Sequence, residues 1–308
     1  MKKDLVTGVN GFVGKYLVDY VFSVESDVNI LGLGLEEKTE LKDIQYKSIN
    51  LCDKENVCNE VAKYKPDYIV HLAAVSSVAK SWEDPAGCFL NNNAAFLNLA
   101  DAVKQNKLST RILSVGSSEE YGFYDVPMKE DFVLHPKSPY SVARLSQEYL
   151  SKLYVDRFGL DIVMTRSFNH IGPGQSTQFV IPSFIEQLVK IANGTIKNKM
   201  LVGNIDVARD FTDVRDVVDA YYKILTRAPN RQVYNVCSGT AVKLRDIIDN
   251  TSKQLGIKPN IVIDSTRVRT NDVKLVVGDN TKIKKELGWK PKYTLQQTIA
   301  DIIKSYEG

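Results

Sequence analysis

The stretch Thr7-Gly-Val-Asn-Gly-Phe-Val-Gly14 follows the first short apolar run of this 308-residue chain. It places glycines at positions 8, 11 and 14, where the pattern of a strand gives way to that of a helix. Glycines at this spacing permit a tight turn and let the helix pack close to the strand. The stretch therefore predicts a strand-turn-helix unit that opens an α/β fold.

Short β-rich runs alternate with amphipathic helical stretches along the sequence downstream of this unit. Such alternation predicts a Rossmann-type doubly wound parallel sheet with helices on both faces. The predicted strands are Asp4–Thr7, Val28–Leu33, Ile44–Asn50, Asp67–His71, Arg111–Gly116 and Asp161–Arg166.

The alternation stops after Arg166 at a loop, Asn169-His-Ile-Gly-Pro-Gly-Gln175, which precedes a predicted helix over Val180–Ala192. We place a boundary there, with residues 1–167 as the dinucleotide-binding domain and 168–308 mainly as a smaller mixed α/β substrate lobe. The chain is expected to return to the first domain around residues 204–237.

The glycine-rich turn has the spacing and the context of a site for a dinucleotide. Gly8 permits the turn, Gly11 lets the main chain approach a pyrophosphate, and the helix N-terminus adds free N–H groups and partial positive charge. Asp53, just past the third strand, is a candidate acceptor for the adenine amine, although an Asp at such a junction is at least as often a helix N-cap. The turn residues predicted to bind the cofactor are Gly8, Asn10, Gly11, Phe12, Val13 and Gly14.

The end of the second strand bears on the choice between NAD(H) and NADP(H). An acidic residue that bonds the adenosine ribose is expected there, but the sequence has Gly34. Glu36 and Glu37 follow and would repel a 2′-phosphate, whereas Lys38 would attract one. NAD(H) is favoured, and NADP(H) stays open.

Composition excludes several other classes of protein. The 40 Lys and Arg residues nearly balance 37 Asp and Glu, and no dense basic run predicts nucleic acid as a partner. No apolar stretch is long enough to predict a membrane span or the core of a signal peptide, so we expect a cytoplasmic protein. The four cysteines lack CxxC spacing and are expected to be reduced, and no metal site is predicted.

Two further motifs carry groups suited to catalysis. Gly116-Ser-Ser-Glu-Glu-Tyr-Gly122 follows the fifth strand, and Ser138-Pro-Tyr-Ser-Val-Ala-Arg144 opens a helix with Tyr140 and Arg144 one turn apart. Together with the glycine-rich turn and His71-Leu-Ala-Ala74, these motifs resemble the extended short-chain dehydrogenase/reductases that act on nucleotide sugars. The resemblance covers nearly the whole chain.

The resemblance implies a role for each matching residue. Tyr140 would exchange a proton with the reacting oxygen, Ser117 would bond that oxygen, and Arg144 stands where the family has a lysine that bonds the nicotinamide ribose. A nearby cation favours the phenolate of such a tyrosine, but a guanidinium is longer and planar, so its contacts with the ribose are expected to differ. Ser118 and Glu119 complete the candidate catalytic set, and Leu72, Ala73, Ala74, Tyr140 and Arg144 join the candidate cofactor contacts.

A closer resemblance involves the second half of the chain. Arg166-Ser-Phe-Asn-His-Ile-Gly-Pro-Gly-Gln175, Phe179-Val180, Arg209-Asp-Phe-Thr-Asp-Val-Arg-Asp216 and Asn235-Val-Cys-Ser-Gly239 resemble the GDP-4-keto-6-deoxy-D-mannose reductases and, more distantly, the GDP-mannose 4,6-dehydratases. The implied substrate contacts are Asn169, His170, Val180, Arg209, Arg269 and Asp272. The arginines would grip the diphosphate and Asp272 would help with the base.

The resemblance implies oxidation or reduction at C4 of a GDP-linked sugar. Reduction needs a hydride donor, Tyr140 and Ser117, whereas a 4,6-dehydratase also needs a base, for which Glu119 is placed. A GDP-heptose C4 dehydrogenase, a dehydratase and a cofactor-binding regulator with weak catalysis remain alternatives. The resemblance also implies a homodimer formed through the Tyr140 helix and a helix following Asn92.

Overall fold

The computed structural model describes residues 1–268 and 273–307. The strands are β1 (Lys2–Thr7), β2 (Val28–Gly34), β3 (Gln45–Ser48), β4 (Tyr68–His71), β5 (Arg111–Ser117), β6 (Asp161–Ser167), β7 (Asn169–Ile171), β8 (Met200–Val202), β9 (Ala208–Asp213), β10 (Val233–Val236), β11 (Ala241–Lys243), β12 (Ile261–Ile263) and β13 (Leu275–Val276). The α-helices are α1 (Phe12–Val24), α2 (Lys54–Tyr64), α3 (Val78–Glu83), α4 (Pro85–Gln105), α5 (Pro139–Phe158), α6 (Val180–Ala192), α7 (Val214–Arg227), α8 (Leu244–Gln254), α9 (Thr281–Leu287) and α10 (Leu295–Glu307).

A seven-stranded parallel sheet lies at the centre of the N-terminal part, in the order β3-β2-β1-β4-β5-β6-β10. The order changes direction between β1 and β4, and in sheets of this kind ligands bind at the carboxyl ends of the strands at that point. The predicted Rossmann-type doubly wound fold is confirmed.

Helices cover both faces of this sheet. On one face, α1 and α7 pack on β1, β5 and β10 around buried residues such as Leu17, Tyr221 and Trp289. On the other, α2, α4 and α5 enclose a second core that contains Phe96 and Leu99. With both faces covered, the central strands bury apolar side chains on each side, which is typical of parallel sheets.

The C-terminal part has a mixed architecture around β9. This strand pairs antiparallel with β11 and parallel with β7 and β13, while β8 pairs with β12. Helices α6, α8 and α10 cover these strands with a third core. The chain also returns to the large sheet through α7 and β10, so strand β9 leads directly into a helix that packs on the N-terminal part.

Several element boundaries differ from those predicted. The third strand is Gln45–Ser48 rather than Ile44–Asn50, because it is the mostly exposed edge of the sheet and pairs with β2 alone. Asn92 lies inside α4, which begins at Pro85, so the predicted helix following Asn92 begins earlier. Helix α6 has the predicted bounds. In the part of the chain that the structure describes, no helix is both long and apolar enough to cross a membrane.

Candidate active site

The glycine-rich turn connects β1 to α1 at the point where the strand order changes. Gly8 has φ of +66°, and a Cβ added there would lie 3.0 Å from the main-chain N of Ala73. A side chain at position 8 would therefore be strained and would push β1 and β4 apart. Gly11 is the N-cap residue of α1, so the first N–H groups of this helix point toward the carboxyl edge of the sheet without a capping side chain.

The segment after β4 lies directly against this turn. Thr7 Oγ1 accepts a hydrogen bond from the Ala73 amide at 3.2 Å and lies 2.9 Å from His71 Nδ1. Burial lowers the pKa of His71 to about 3, so this ring is neutral inside the fold. These contacts place Leu72, Ala73 and Ala74 beside Gly8, where the sequence predicts the cofactor.

Asn10 and Asp53 have partners within the protein. Asn10 Nδ2 donates to Glu36 Oε2 and to the carbonyl oxygen of Lys38, both at 3.2 Å. Asp53 caps α2, since its Oδ1 accepts from the Asn56 amide at 3.1 Å and its Oδ2 from Asn56 Nδ2 at 2.6 Å. The structural role of Asp53 as a helix N-cap is thus observed, and its contact with adenine stays a prediction.

Helix α5 brings Tyr140 and Arg144 together in the interior. Arg144 Nε donates to Tyr140 Oη at 3.3 Å, and the guanidinium carbon lies 5.4 Å from the centroid of the phenol ring. Arg144 Nη1 also donates to the carbonyl oxygen of Val115 at 2.8 Å and to Gln147 Oε1 at 2.9 Å. Tyr140 and Arg144 are only 7% and 4% exposed, so a fixed cation lies beside a fixed phenol.

Ser117 ends β5 and starts a 3-10 turn over Ser118–Glu120. Its Oγ accepts from the Glu119 amide at 3.2 Å, which leaves its own hydrogen available for another acceptor. Its amide donates to Glu120 Oε1 at 2.7 Å. Ser117 and Ser118 are buried and Glu119 is exposed, so the turn directs these neighbours into different environments.

A buried group of charged residues that was not predicted from the sequence supports this turn. Arg166 on β6 makes two hydrogen bonds of 2.8 Å with the Glu148 carboxylate on α5, and its Nε lies 3.9 Å from Glu120 Oε2. Glu120 is fully buried, and burial together with the nearby Glu148 carboxylate raises its pKa well above the ordinary value. The spacing of Ser117 and Glu120 is that of a capping box, a signal that was present in the sequence.

The candidate substrate residues lie mainly on β7 and β9, which are adjacent parallel strands. Asn169 is exposed, and its Nδ2 donates to the Asp210 carbonyl oxygen at 3.2 Å. The His170 ring stacks on Phe12 of the glycine-rich turn, with centroids 6.2 Å apart, and burial lowers the pKa of His170. This stacking joins the substrate segment to the predicted cofactor turn.

The remaining substrate candidates are less closely grouped. Arg209 is half-buried, and its Nη1 donates to the carbonyl oxygens of Ala208 and Val273 at 3.0 and 2.6 Å. Val180 is 39% exposed at the first turn of α6. Arg269 and Asp272 lie outside the described residues, so their roles stay predictions.

We predict that Glu120→Val and Glu120→Gln have different effects on turnover. Valine removes the acceptor for the Ser117 amide, so we expect about 1–3 kcal/mol lower stability and a turnover reduced about tenfold or more. Glutamine keeps an amide oxygen for the same bond, and turnover should stay near that of the wild type. Steady-state kinetics and denaturant unfolding measure both effects.

The pH dependence of stability provides a control for the two Glu120 variants. Since the fold raises the pKa of Glu120, the free energy of unfolding that this group contributes falls as pH rises from its ordinary pKa toward the raised one. The stability of Glu120→Gln relative to the wild type should therefore increase with pH. Equal turnover in the valine and glutamine variants would contradict the positioning role of Glu120.

Comparisons with known proteins agree with this arrangement. The sequence model of the GDP-mannose 4,6 dehydratase family matches residues 5–302. The chain is 33% identical to the GDP-6-deoxy-D-mannose reductase of Pseudomonas aeruginosa over 309 residues, which cover 98% of this chain and 96% of the relative. It is 28% identical over 306 residues to the GDP-6-deoxy-D-talose 4-dehydrogenase of Aggregatibacter actinomycetemcomitans, with coverage of 97% and 96%.

A solved structure is similar over the whole length. RMD from Pseudomonas aeruginosa, complexed with NADPH, superposes with a TM-score of 0.89 at 32% identity and covers 100% of this chain and 99% of that one. The resemblance predicted from the sequence motifs is confirmed. This chain belongs to the GDP-mannose 4,6-dehydratase family, within the extended short-chain dehydrogenase/reductases.

Proposed function

We propose that this protein is an NAD(P)-dependent oxidoreductase that acts at C4 of a GDP-linked sugar, as a GDP-4-keto-6-deoxy-D-mannose reductase. The observation that carries this proposal is the buried contact between Arg144 and the Tyr140 hydroxyl, on the helix that packs against the end of β5. The relatives named as a GDP-6-deoxy-D-mannose reductase and a GDP-6-deoxy-D-talose 4-dehydrogenase support the same carbon and the same nucleotide.

The residues at the site divide the reaction between them. A bound nicotinamide cofactor supplies the hydride that reduces the C4 carbonyl of the sugar. Ser117 donates a hydrogen bond to the carbonyl oxygen, and Tyr140 transfers its proton to that oxygen as the negative charge develops. The Arg144 cation stabilises the phenolate that remains. Oxidation of a C4 hydroxyl uses the same groups in reverse.

Arg144 places a positive charge beside the Tyr140 phenol, as the lysine of the family does, but it is held by different contacts. Its Nη1 is fixed by the Val115 carbonyl oxygen and Gln147, so the guanidinium bridges α5 and β5 while its Nε reaches the phenol. A lysine ammonium carries its three N–H donors on one nitrogen and lacks the planar fork through which Arg144 makes these contacts. The cation is therefore held in place by the protein before any ligand binds.

Glu119 supports a dehydratase as the second candidate function. It is exposed beside Ser117, where a base for the C5 proton is needed, and the family is named for this reaction. The two reactions differ in net chemistry: a reductase consumes one reduced cofactor per sugar, whereas a 4,6-dehydratase regenerates its cofactor.

The test is to incubate purified protein with NADH or NADPH and GDP-4-keto-6-deoxymannose, GDP-mannose or a GDP-heptose, and to follow products by NMR. We expect consumption of the keto sugar with one equivalent of cofactor oxidised. Conversion of GDP-mannose to its 4-keto-6-deoxy form without added reductant would support the dehydratase instead. Oxidation of the GDP-heptose would keep the reaction at C4 but identify the heptose as the substrate. Cofactor binding without any of these reactions would favour a regulator.

We predict that Tyr140→Phe lowers kcat by about 10²–10⁴-fold, because it removes the proton donor and little else. The ring and its packing under Arg144 remain, so the dissociation constant for the reduced cofactor should stay within a fewfold of wild type. Stopped-flow turnover and fluorescence titration with NADH measure the two quantities. Retention of more than a tenth of the wild-type kcat would exclude Tyr140 as the proton donor.

We predict that Arg144→Lys retains most activity and Arg144→Met loses it. Lysine keeps the positive charge near the phenol, and methionine has similar bulk without charge. The kcat of the methionine variant should fall at least about 100-fold, which corresponds to the loss of about 3 kcal/mol of stabilisation of the charged phenolate. Similar values of kcat in the two variants would contradict an electrostatic role.

We further propose that the protein is a homodimer and works in the cytoplasm. Helices α4 and α5 pack together and expose Leu90, Tyr149 and Leu153 at 54% to 64%, which supports a shared interface on this face. The four free cysteines support a reducing compartment. Light scattering on the purified protein measures its mass in solution, and a value of 34.5 kDa would exclude the dimer.

A further inference from the structure

The carboxyl end of β2 has an unusual arrangement around a glycine. In dinucleotide-binding folds of this type an acidic side chain at this place bonds the adenosine ribose, but here the residue is Gly34. A Cβ added to Gly34 would lie 2.8 Å from Glu36 Oε2 and 2.8 Å from Tyr46 Oη. The carboxylate of Glu36 thus occupies the space into which a side chain at position 34 would extend.

Contacts from two other elements hold Glu36 in this position. Asn10 of the glycine-rich turn donates from Nδ2 to Glu36 Oε2 at 3.2 Å. Tyr46 on β3 donates from Oη to the main-chain oxygen of Glu36 at 2.7 Å. Partial burial and the neighbouring Glu36 carboxylate raise the pKa of Tyr46. The carboxylate is therefore tied directly to the turn that is expected to bind the pyrophosphate.

We propose that Glu36 replaces the missing acidic residue at position 34, accepts a hydrogen bond from the 2′-hydroxyl of the adenosine ribose, and makes this protein prefer NAD(H) over NADP(H). This inference rests on the part of the proposed function that assigns a nicotinamide dinucleotide to the site. A carboxylate accepts from the two hydroxyls of a free ribose, whereas a 2′-phosphate has no proton to donate and carries like charge.

Two neighbours of Glu36 provide matched controls. Glu37 is also exposed and carries the same charge one residue further along. Lys38 is exposed and would attract a 2′-phosphate, while its main-chain oxygen accepts from Asn10 Nδ2 at 3.2 Å. If the contact is specific to Glu36, substitution of Glu37 should have no comparable effect on the relative affinity for NADH and NADPH. If Lys38 instead binds a 2′-phosphate, the protein should prefer NADP(H).

The experiment measures dissociation constants for NADH and NADPH by fluorescence titration, without any sugar. We expect the wild type to bind NADH at least about tenfold more tightly than NADPH. Glu36→Gln should weaken NADH about tenfold or more, because the charge-assisted bond to the ribose is lost, and should improve NADPH by removing the like charge. Glu37→Gln and Lys38→Ala should leave the ratio of the two constants within about twofold.

Each other outcome rejects the inference. Tighter binding of NADPH by the wild type, with loss of that preference in Lys38→Ala, would assign the 2′-phosphate to Lys38. Equal effects of Glu36→Gln and Glu37→Gln on the two dissociation constants would indicate an effect of negative charge in general, rather than a hydrogen bond from the ribose to Glu36. In both cases the proposed oxidoreductase function would stand, whereas failure of both nucleotides to bind would reject that function as well.

Discussion

The carbonyl oxygen of Val115 fixes the geometry on which the proposed chemistry depends. It accepts from Arg144 at 2.8 Å and from Gln147 Nε2 at 3.3 Å, so the helix carrying Tyr140 is anchored to the strand that ends in Ser117. Because both contacts use the main chain of β5, the phenol, the cation and the serine turn belong to one rigid arrangement. The proposed proton donor, Tyr140, and the serine proposed to polarise the carbonyl, Ser117, are thereby positioned without a ligand.

A group of buried charged residues lies next to this arrangement. Because these residues are buried, substitution of one of them destabilises the fold. Arg166 forms paired hydrogen bonds with Glu148, and Lys152 reaches Glu148 Oε1 at 2.6 Å, so the Glu148 carboxylate contacts two cations. Glu120 is the additional acid, and burial together with the nearby Glu148 carboxylate raises its pKa. Removing one partner from such a group leaves an uncompensated buried charge and destabilises the fold strongly.

Local spacing accounts for the part of the site that the sequence could predict. One turn contains the glycines at 8, 11 and 14, and one helix contains Tyr140 and Arg144. Because these residues are close in the sequence, their proximity in space could be predicted from it. The alternation of strands and helices predicted the sheet for the same reason. The edge strand β3 was predicted too long, because it is mostly exposed and pairs with β2 alone.

Long-range contacts account for what the sequence could not predict. Glu120 reaches Arg166 through the pairing of β5 with β6, and Glu36 lies over Gly34 because Asn10 and Tyr46 come from separate elements. From the sequence alone, Glu36 was expected only to repel a 2′-phosphate. Its place over Gly34 depends on contacts between separate elements, so the proposal that Glu36 replaces the missing acid of β2 needs the structure.

The most direct measurement of the central claim follows a deuteride from the cofactor to the sugar. NADH or NADPH carrying deuterium at the transferred position of nicotinamide C4 is incubated with GDP-4-keto-6-deoxymannose, and the product is examined by NMR. Oxidoreduction at C4 predicts one deuterium at C4 of the sugar for each cofactor oxidised. A product without deuterium at C4, or no oxidation of the cofactor, would contradict it.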